Sequence, residues 1–212
     1  MKVLMLKGIG CTDGIYEFLN LSEHDVSLID YEAVMNSDTD SVETLALNIN
    51  HALNDRSFDA IIAHSMGGLL AMVLLEKGWV EASSLIAIET SFVPAHESYR
   101  TLLHPKSGKA LHHAIDSMLQ KEIPKYPEKL KASLRDAFDF ESTLSSLTIP
   151  ITMIYGKREM EACDELRNKL NLREETLEKV SLHFVENAAH FPFVENPDET
   201  HRVLKNALTT RP

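Results

Sequence analysis

Several things are scarce in this 212-residue sequence, and each absence removes a class of protein. There are two cysteines, Cys11 and Cys163, too few for a disulfide framework, so both are read as reduced thiols. No apolar run approaches the ~20 residues that cross a bilayer. The first apolar run, Val3-Leu4-Met5-Leu6, stops at Lys7 and is too short for the core of a secretory signal. The expected compartment is therefore the cytoplasm. Basic charge is also short: Lys plus Arg is 21 against 32 Asp plus Glu, a net of −11. A field of that sign repels a phosphate backbone, and no run of Lys and Arg offsets it, so neither nucleic acid nor membrane is expected as a partner. Internal repeats and low-complexity segments are absent. The histidines, His112-His113 included, show no His-x-x-x-His spacing and no partnered cysteines, so no metal is expected.

What remains is an ordinary globular composition, 44% hydrophobic and 25% charged, with enough apolar material to offset chain entropy. The length suits one compact domain with an insertion. Short apolar runs at 3–6, 26–29, 60–63 (continuing from Phe58) and 85–88 predict strands. Between them, Val42, Leu45, Ala46, Ile49 and Leu53 recur at helical spacing over 41–53. Residues 65–77 are apolar almost all round, which predicts a deeply buried helix. Strands alternating with helices imply an α/β fold with a parallel sheet covered on both faces. The rhythm stops at Thr90. From there to about Leu147 two amphipathic stripes replace it: Leu111, Ala114, Ile115, Met118 and Leu119, then Leu130, Leu134, Ala137 and Phe138, with Pro124 and Pro127 between. The rhythm resumes with a strand at 151–155, a helix at 161–170, a strand at 180–185 and a helix at 197–208 capped by Asn196. Residues 1–89 and 148–212 are thus expected to form the core and 90–147 a helical lid.

The most informative segment is Ala63-His64-Ser65-Met66-Gly67-Gly68. A strand runs into Ser65 and a helix starts at once, with small residues two positions away on either side. This is the pattern of a nucleophile elbow, which presents a serine oxygen at the C-terminal edge of a sheet. A serine needs a base, and His190 sits in the loop between the last strand and the last helix, at the same sheet edge. The third member of a triad, an acid that orients the imidazole, is expected between Ser and His in chain order. Glu159, after the strand at 151–155, is the first candidate. Glu89, ending the strand at 85–88, is the second, and both stay open at this point. His64 is read as a packing residue near the pocket, and Trp79 and the methionines on helical stripes as core.

These residues, with Lys7-Gly8-Ile9-Gly10, the stretch from Pro150 to Glu159 and Ala189-His190-Phe191-Pro192-Phe193, resemble the α/β-hydrolase superfamily of esterases, lipases and C–C hydrolases. The resemblance spans nearly the whole chain. It implies a doubly covered sheet of about six parallel strands, a short form without the two strands that often precede the glycine loop. It implies an oxyanion hole made by the N–H groups of Ile9 and Met66. It places the acid three residues after Gly156, where Glu159 stands for the usual Asp, while haloalkane dehalogenases carry a Glu after the strand equivalent to 85–88. The His that usually precedes the first glycine is here Lys7, expected as a solvated lysine or as a contact for an anionic substrate group.

The function these features imply is serine hydrolysis of a carboxylic ester or thioester with a small to medium acyl group, through an acyl-enzyme and without a cofactor. Phe92, Tyr99, Leu111, Ile115, Met118 and Leu119 are expected to roof the pocket. Two other classes are weighed. A dinucleotide site at Gly8-Ile9-Gly10 with Asp30 lacks its third glycine, because Asp13 stands there and would repel a pyrophosphate. A ligand receptor that keeps a triad but turns over little remains the alternative, since fold and triad do not exclude it.

Overall fold

The computed structural model describes residues 1–94, 97, 101–135, 138–159 and 162–209; Tyr99, Ala137 and Glu161, which the sequence reading used, lie outside them. Six strands form the main sheet: β1 (Lys2–Leu6), β2 (Asp25–Leu28), β3 (Ala60–His64), β4 (Leu85–Ile88), β5 (Ile151–Gly156) and β6 (Ser181–Val185). Their order is β2-β1-β3-β4-β5-β6, and every adjacent pair is parallel. From β1 the chain winds to one side, and from β3 to the other. The loops after β1 and β3 therefore leave a switch point at the C-terminal edge, where open α/β sheets bind ligands.

The sheet divides the core in two because successive strand side chains face opposite ways. Leu4, Leu6, Ile61 and Ala63 enter one cluster, and Val3, Met5, Ala60 and Ile62 the other. The first cluster is covered by α1 (Val42–Ala52) and α2 (Met66–Glu76). Ser41 caps α1 through a reciprocal pair with Thr44, a device typically worth about 1 kcal/mol. Every residue from Met66 to Leu74 is buried, so α2 has no polar face, as its sequence predicts. A side chain at Gly67 would collide with the Leu6 carbonyl. Glycine here lets the start of α2 ride against the end of β1.

Between β4 and β5 the described residues form α3 (Lys109–Glu122), α4 (Glu128–Ser133) and α5 (Glu141–Ser146), with no strand of the main sheet. The stripe from Leu130 to Phe138 is shorter as a helix than its spacing suggests: α4 closes at Leu134, whose N–H turns back onto the Ala132 and Leu130 carbonyls. The helix expected at 161–170 is α6 (Cys163–Lys169). The last, α7 (Pro197–Thr209), covers the second cluster with Val203, Leu204 and Leu208. Asn196 accepts the Glu199 N–H at its start. Among the described residues no helix is long and apolar enough to cross a membrane.

Candidate active site

Ser65 sits between β3 and α2 with φ 53° and ψ −121°. A non-glycine residue rarely adopts that conformation, which costs of order 1 kcal/mol or more unless its surroundings impose it. Here they do. The Ser65 N–H donates to the Ile88 carbonyl at 2.9 Å, and its own carbonyl accepts the Gly68 N–H and the Thr90 hydroxyl, each at 3.0 Å. The side chain is half-buried at the sheet edge. Glu89 (φ 50°) and Arg158 (φ 58°) are two further non-glycine residues with positive φ at the same edge. Backbone strain of this kind gathers at functional sites.

The glycine loop after β1 is held from below. The Gly8 N–H donates to the Tyr16 hydroxyl at 2.8 Å, and the Lys7 N–H to the Tyr31 hydroxyl at 2.9 Å. Tyr16 in turn lies 3.0 Å from Nδ1 of His64, whose Nε2 lies 2.9 Å from the His190 carbonyl. A carbonyl only accepts, so Nε2 carries the proton and Nδ1 accepts from Tyr16. His64 is completely buried. Burial, with His190 nearby, pulls its pKa down to about 3, so it stays neutral and works as a rigid link between the glycine loop and the His190 loop. The N–H groups of Ile9 and Met66 have no acceptor among the described residues.

His190 is fixed chiefly through its backbone. Its N–H donates to the Leu102 carbonyl at 3.0 Å. The flanking N–H groups of Ala189 and Phe191 donate to Glu195 Oε2 at 2.7 and 3.2 Å. The other oxygen of Glu195 accepts the His104 N–H and the Ser107 hydroxyl, both at 2.6 Å. Glu195 thus ties the His190 loop to the segment between β4 and β5. Sequence reasoning passed over it, although its place five residues after His190 was a usable signal. The rings of His190 and His64 lie 5.0 Å apart, centroid to centroid.

The two acid candidates separate here. Glu89 Oε2 is 3.4 Å from His190 Nδ1. Glu159 is exposed, and none of its described contacts reaches His190. Of the two carboxylates, Glu89 is the one the fold brings beside His190. The reason is the loop after Gly156: the chain turns at Arg158 so that the arginine, not its neighbour, points inward. Glu89 accepts from the Gly156 N–H at 2.5 Å and from Arg158 through both terminal nitrogens, at 3.1 and 2.8 Å. Burial alone pushes its carboxyl up, but Arg158 and His190 outweigh that and hold it below the usual carboxylate range. Gly156 makes this close packing available, since any side chain there would collide with the backbone of Ala188 and Ala189.

Lys7 is not a solvated lysine. Its side chain is 8% exposed, with Nζ 2.6 Å from Asp13 and 5.2 Å from the centre of the Tyr31 ring. Cys11 is buried, its thiol pushed up to about 11 mainly by that burial, while Cys163 is exposed on α6. Of the residues expected to roof the pocket, Phe92 joins the core cluster under α1 and α2 instead. Ile115, Leu111, Met118 and Leu119 pack on the opposite cluster. The Thr12 hydroxyl approaches Met118 Sδ at 3.5 Å, and Gly10 leaves no space for a side chain beneath Leu119 and Ile123. Helix α3 therefore lies directly on the glycine loop.

A parallel sheet with a serine elbow at its switch point, and a histidine backed by a carboxylate at the same edge, defines the α/β-hydrolase fold, and the chain has that fold. No family model matches the chain, and no curated protein matches it by sequence. Solved structures do match. An esterase from Exiguobacterium antarcticum superposes with a TM-score of 0.74 at 18% identity, over 99% of this chain and 92% of the esterase. MenH from S. aureus gives 0.71 at 16%, over 98% and 93%. Est816, described as an N-acyl homoserine lactone degrading enzyme, gives 0.73 at 16%, over 97% and 92%.

Proposed function

We propose that the protein is a serine hydrolase acting on carboxylic esters or thioesters of small to medium acyl groups. The observation that carries this reading is the strained Ser65 elbow at a sheet edge shared with His190 and the buried Glu89. Ser65 Oγ attacks the carbonyl carbon while His190 takes its proton. Glu89 holds the imidazole through Nδ1. The N–H groups of Ile9 and Met66, without acceptors among the described residues, receive the oxyanion, each such donor typically being worth ~3–4 kcal/mol in the transition state. The C–O or C–S bond then breaks, and the leaving alcohol or thiol takes the proton from His190. Water, deprotonated by His190, adds to the acyl-enzyme; collapse releases the acid and returns the proton to Ser65. No step calls for a cofactor.

In this reading residues 1–89 and 148–212 are the catalytic core, and 90–147 are a lid seated on the glycine loop and tied to the His190 loop through Glu195. The cytoplasm, where Cys11 and Cys163 stay reduced, is the matching location. The test is labelling with a fluorophosphonate, mapped by mass spectrometry, beside Ser65→Ala and a screen of p-nitrophenyl esters and acyl-thioesters. Modification confined to Ser65, with Ser65-dependent turnover, is the expected result. Labelling without turnover on any ester would favour a ligand receptor that retains the triad, and absence of labelling would overturn the activated nucleophile.

A further inference from the structure

The reaction above gives no part to a buried charge that touches the Glu89 carboxylate. Arg158 follows β5, in the loop where the superfamily resemblance seats the acid, yet it carries the opposite charge. Its side chain is 4% exposed. Nη2 lies 2.8 Å from Glu89 Oε2, and Nη1 lies 3.1 Å from Oε1 and 2.9 Å from the Gly156 carbonyl. His190 Nδ1 faces the same Oε2 at 3.4 Å. One carboxylate oxygen thus stands between a guanidinium and an imidazole. The left-handed backbone at Arg158 and its N–H bond to the Ala188 carbonyl, 2.7 Å, keep the residue turned inward.

We propose that Arg158 is a positioning residue: its two-pronged grip aims Glu89 at His190, and its fixed charge opposes proton uptake by the Glu89–His190 pair as the pH falls. The proposal rests on the hydrolase reading for its kinetic assay only. The groups around the carboxylate come from three strands and the loops that follow them. His64 at the end of β3 is neutral. Tyr155 on β5 donates to the Thr90 carbonyl at 2.6 Å, and burial raises its phenol far above the ordinary range. His190 follows β6, the Gly156 N–H ends β5, and Arg158 follows β5. Among these described residues Arg158 alone is a permanent cation. A buried carboxylate facing an imidazole titrates with it as a pair. Removing the neighbouring positive charge makes that pair bind its proton at higher pH.

Two readouts test this. The first is the pH dependence of fluorophosphonate labelling of Ser65 in wild type, Arg158→Met and Arg158→Lys. The second needs no reaction. It is proton uptake by the pair on acidification, followed by His190 ring resonances and by the Glu89 carboxylate infrared bands that Glu89→Gln removes. In the Met variant the acid limb of labelling and the uptake midpoint should both move up by about one pH unit. Lysine, which keeps the charge but loses the fork, should bring both back to within about 0.3 unit of wild type while labelling stays roughly 10-fold slower. Coincident limbs and midpoints for wild type and Met would overturn the role of Arg158 and leave the hydrolase reading standing. An unlabelled wild type whose uptake midpoint still moves with Met would do the reverse. If the Met variant does not fold, the Lys variant decides: slower labelling on an unmoved limb supports the proposal, and a limb moved by about one unit despite the retained charge overturns it.

Discussion

The ends of β4 and β5 lie side by side, and each leads into a glutamate. Glu89 follows β4 directly and is buried, with Gly156, Arg158 and His190 around its two oxygens. Glu159 follows β5 by three residues and is exposed. Both have the same side chain, the same sheet edge and the right chain order for a triad. What distinguishes them is depth. A buried carboxylate keeps its charge only where donors and a cation surround it. A site that supplies those groups also supplies the low-dielectric surroundings in which a carboxylate can hold an imidazole in one tautomer. Proximity in sequence to the family position is a weaker guide than the partners that burial demands.

The contrast sharpens into a pair of variants. Glu89→Gln should lower kcat by about 10³- to 10⁴-fold on any Ser65-dependent substrate, as expected when an imidazole loses its orienting carboxylate. Glu159→Gln should stay within about twofold and shift stability by less than about 0.5 kcal/mol. Equal losses in the two, measured at matched folded fraction, would erase the distinction.

Glu195 is a carboxylate of a third kind, holding backbone rather than imidazole. Glu195→Gln keeps the shape but replaces one accepting oxygen with a donor. A roughly 10-fold fall in kcat is expected, with about 1–2 kcal/mol of stability lost. Faster proteolysis within 101–107 should accompany it, because the same side chain seats His104 and Ser107. A loss of kcat with unchanged protection of that segment would show that Glu195 acts on the His190 loop alone.

The last effect concerns acid stability. His64 takes up a proton near pH 6.5 when unfolded but only at about 3 when folded. Its neutral, buried state therefore contributes stability that is present above about pH 6.5 and declines below it, by at most about 1.4 kcal/mol per pH unit. Glu89, held below 4.5 in the fold, adds a loss of the same sign at lower pH. Denaturant titrations of His64→Gln should show a shallower decline than wild type between about pH 6.5 and 5. Parallel curves would remove His64 from the account.

Sequence alone was enough where the determinants are local. Alternating apolar runs predict all six strands of the sheet to within one residue at either end. The unbroken apolar run after Ser65 predicts a helix without a polar face, and that is α2. The serine elbow is legible because strand, small flanking residues and helix are contiguous. The choice between Glu89 and Glu159 was not legible, since each lies far along the chain from His190. The inward turn at Arg158, the shared oxygens of Glu195 and the proton placement on His64 were equally hidden. All four are properties of groups withdrawn from water, whose partners come from strands and loops distant in sequence. Local pattern therefore determined the sheet, the buried helix and the serine elbow. Only tertiary burial decided which carboxylate faces the histidine, because a desolvated charge is stable only where the whole fold brings its partners to it.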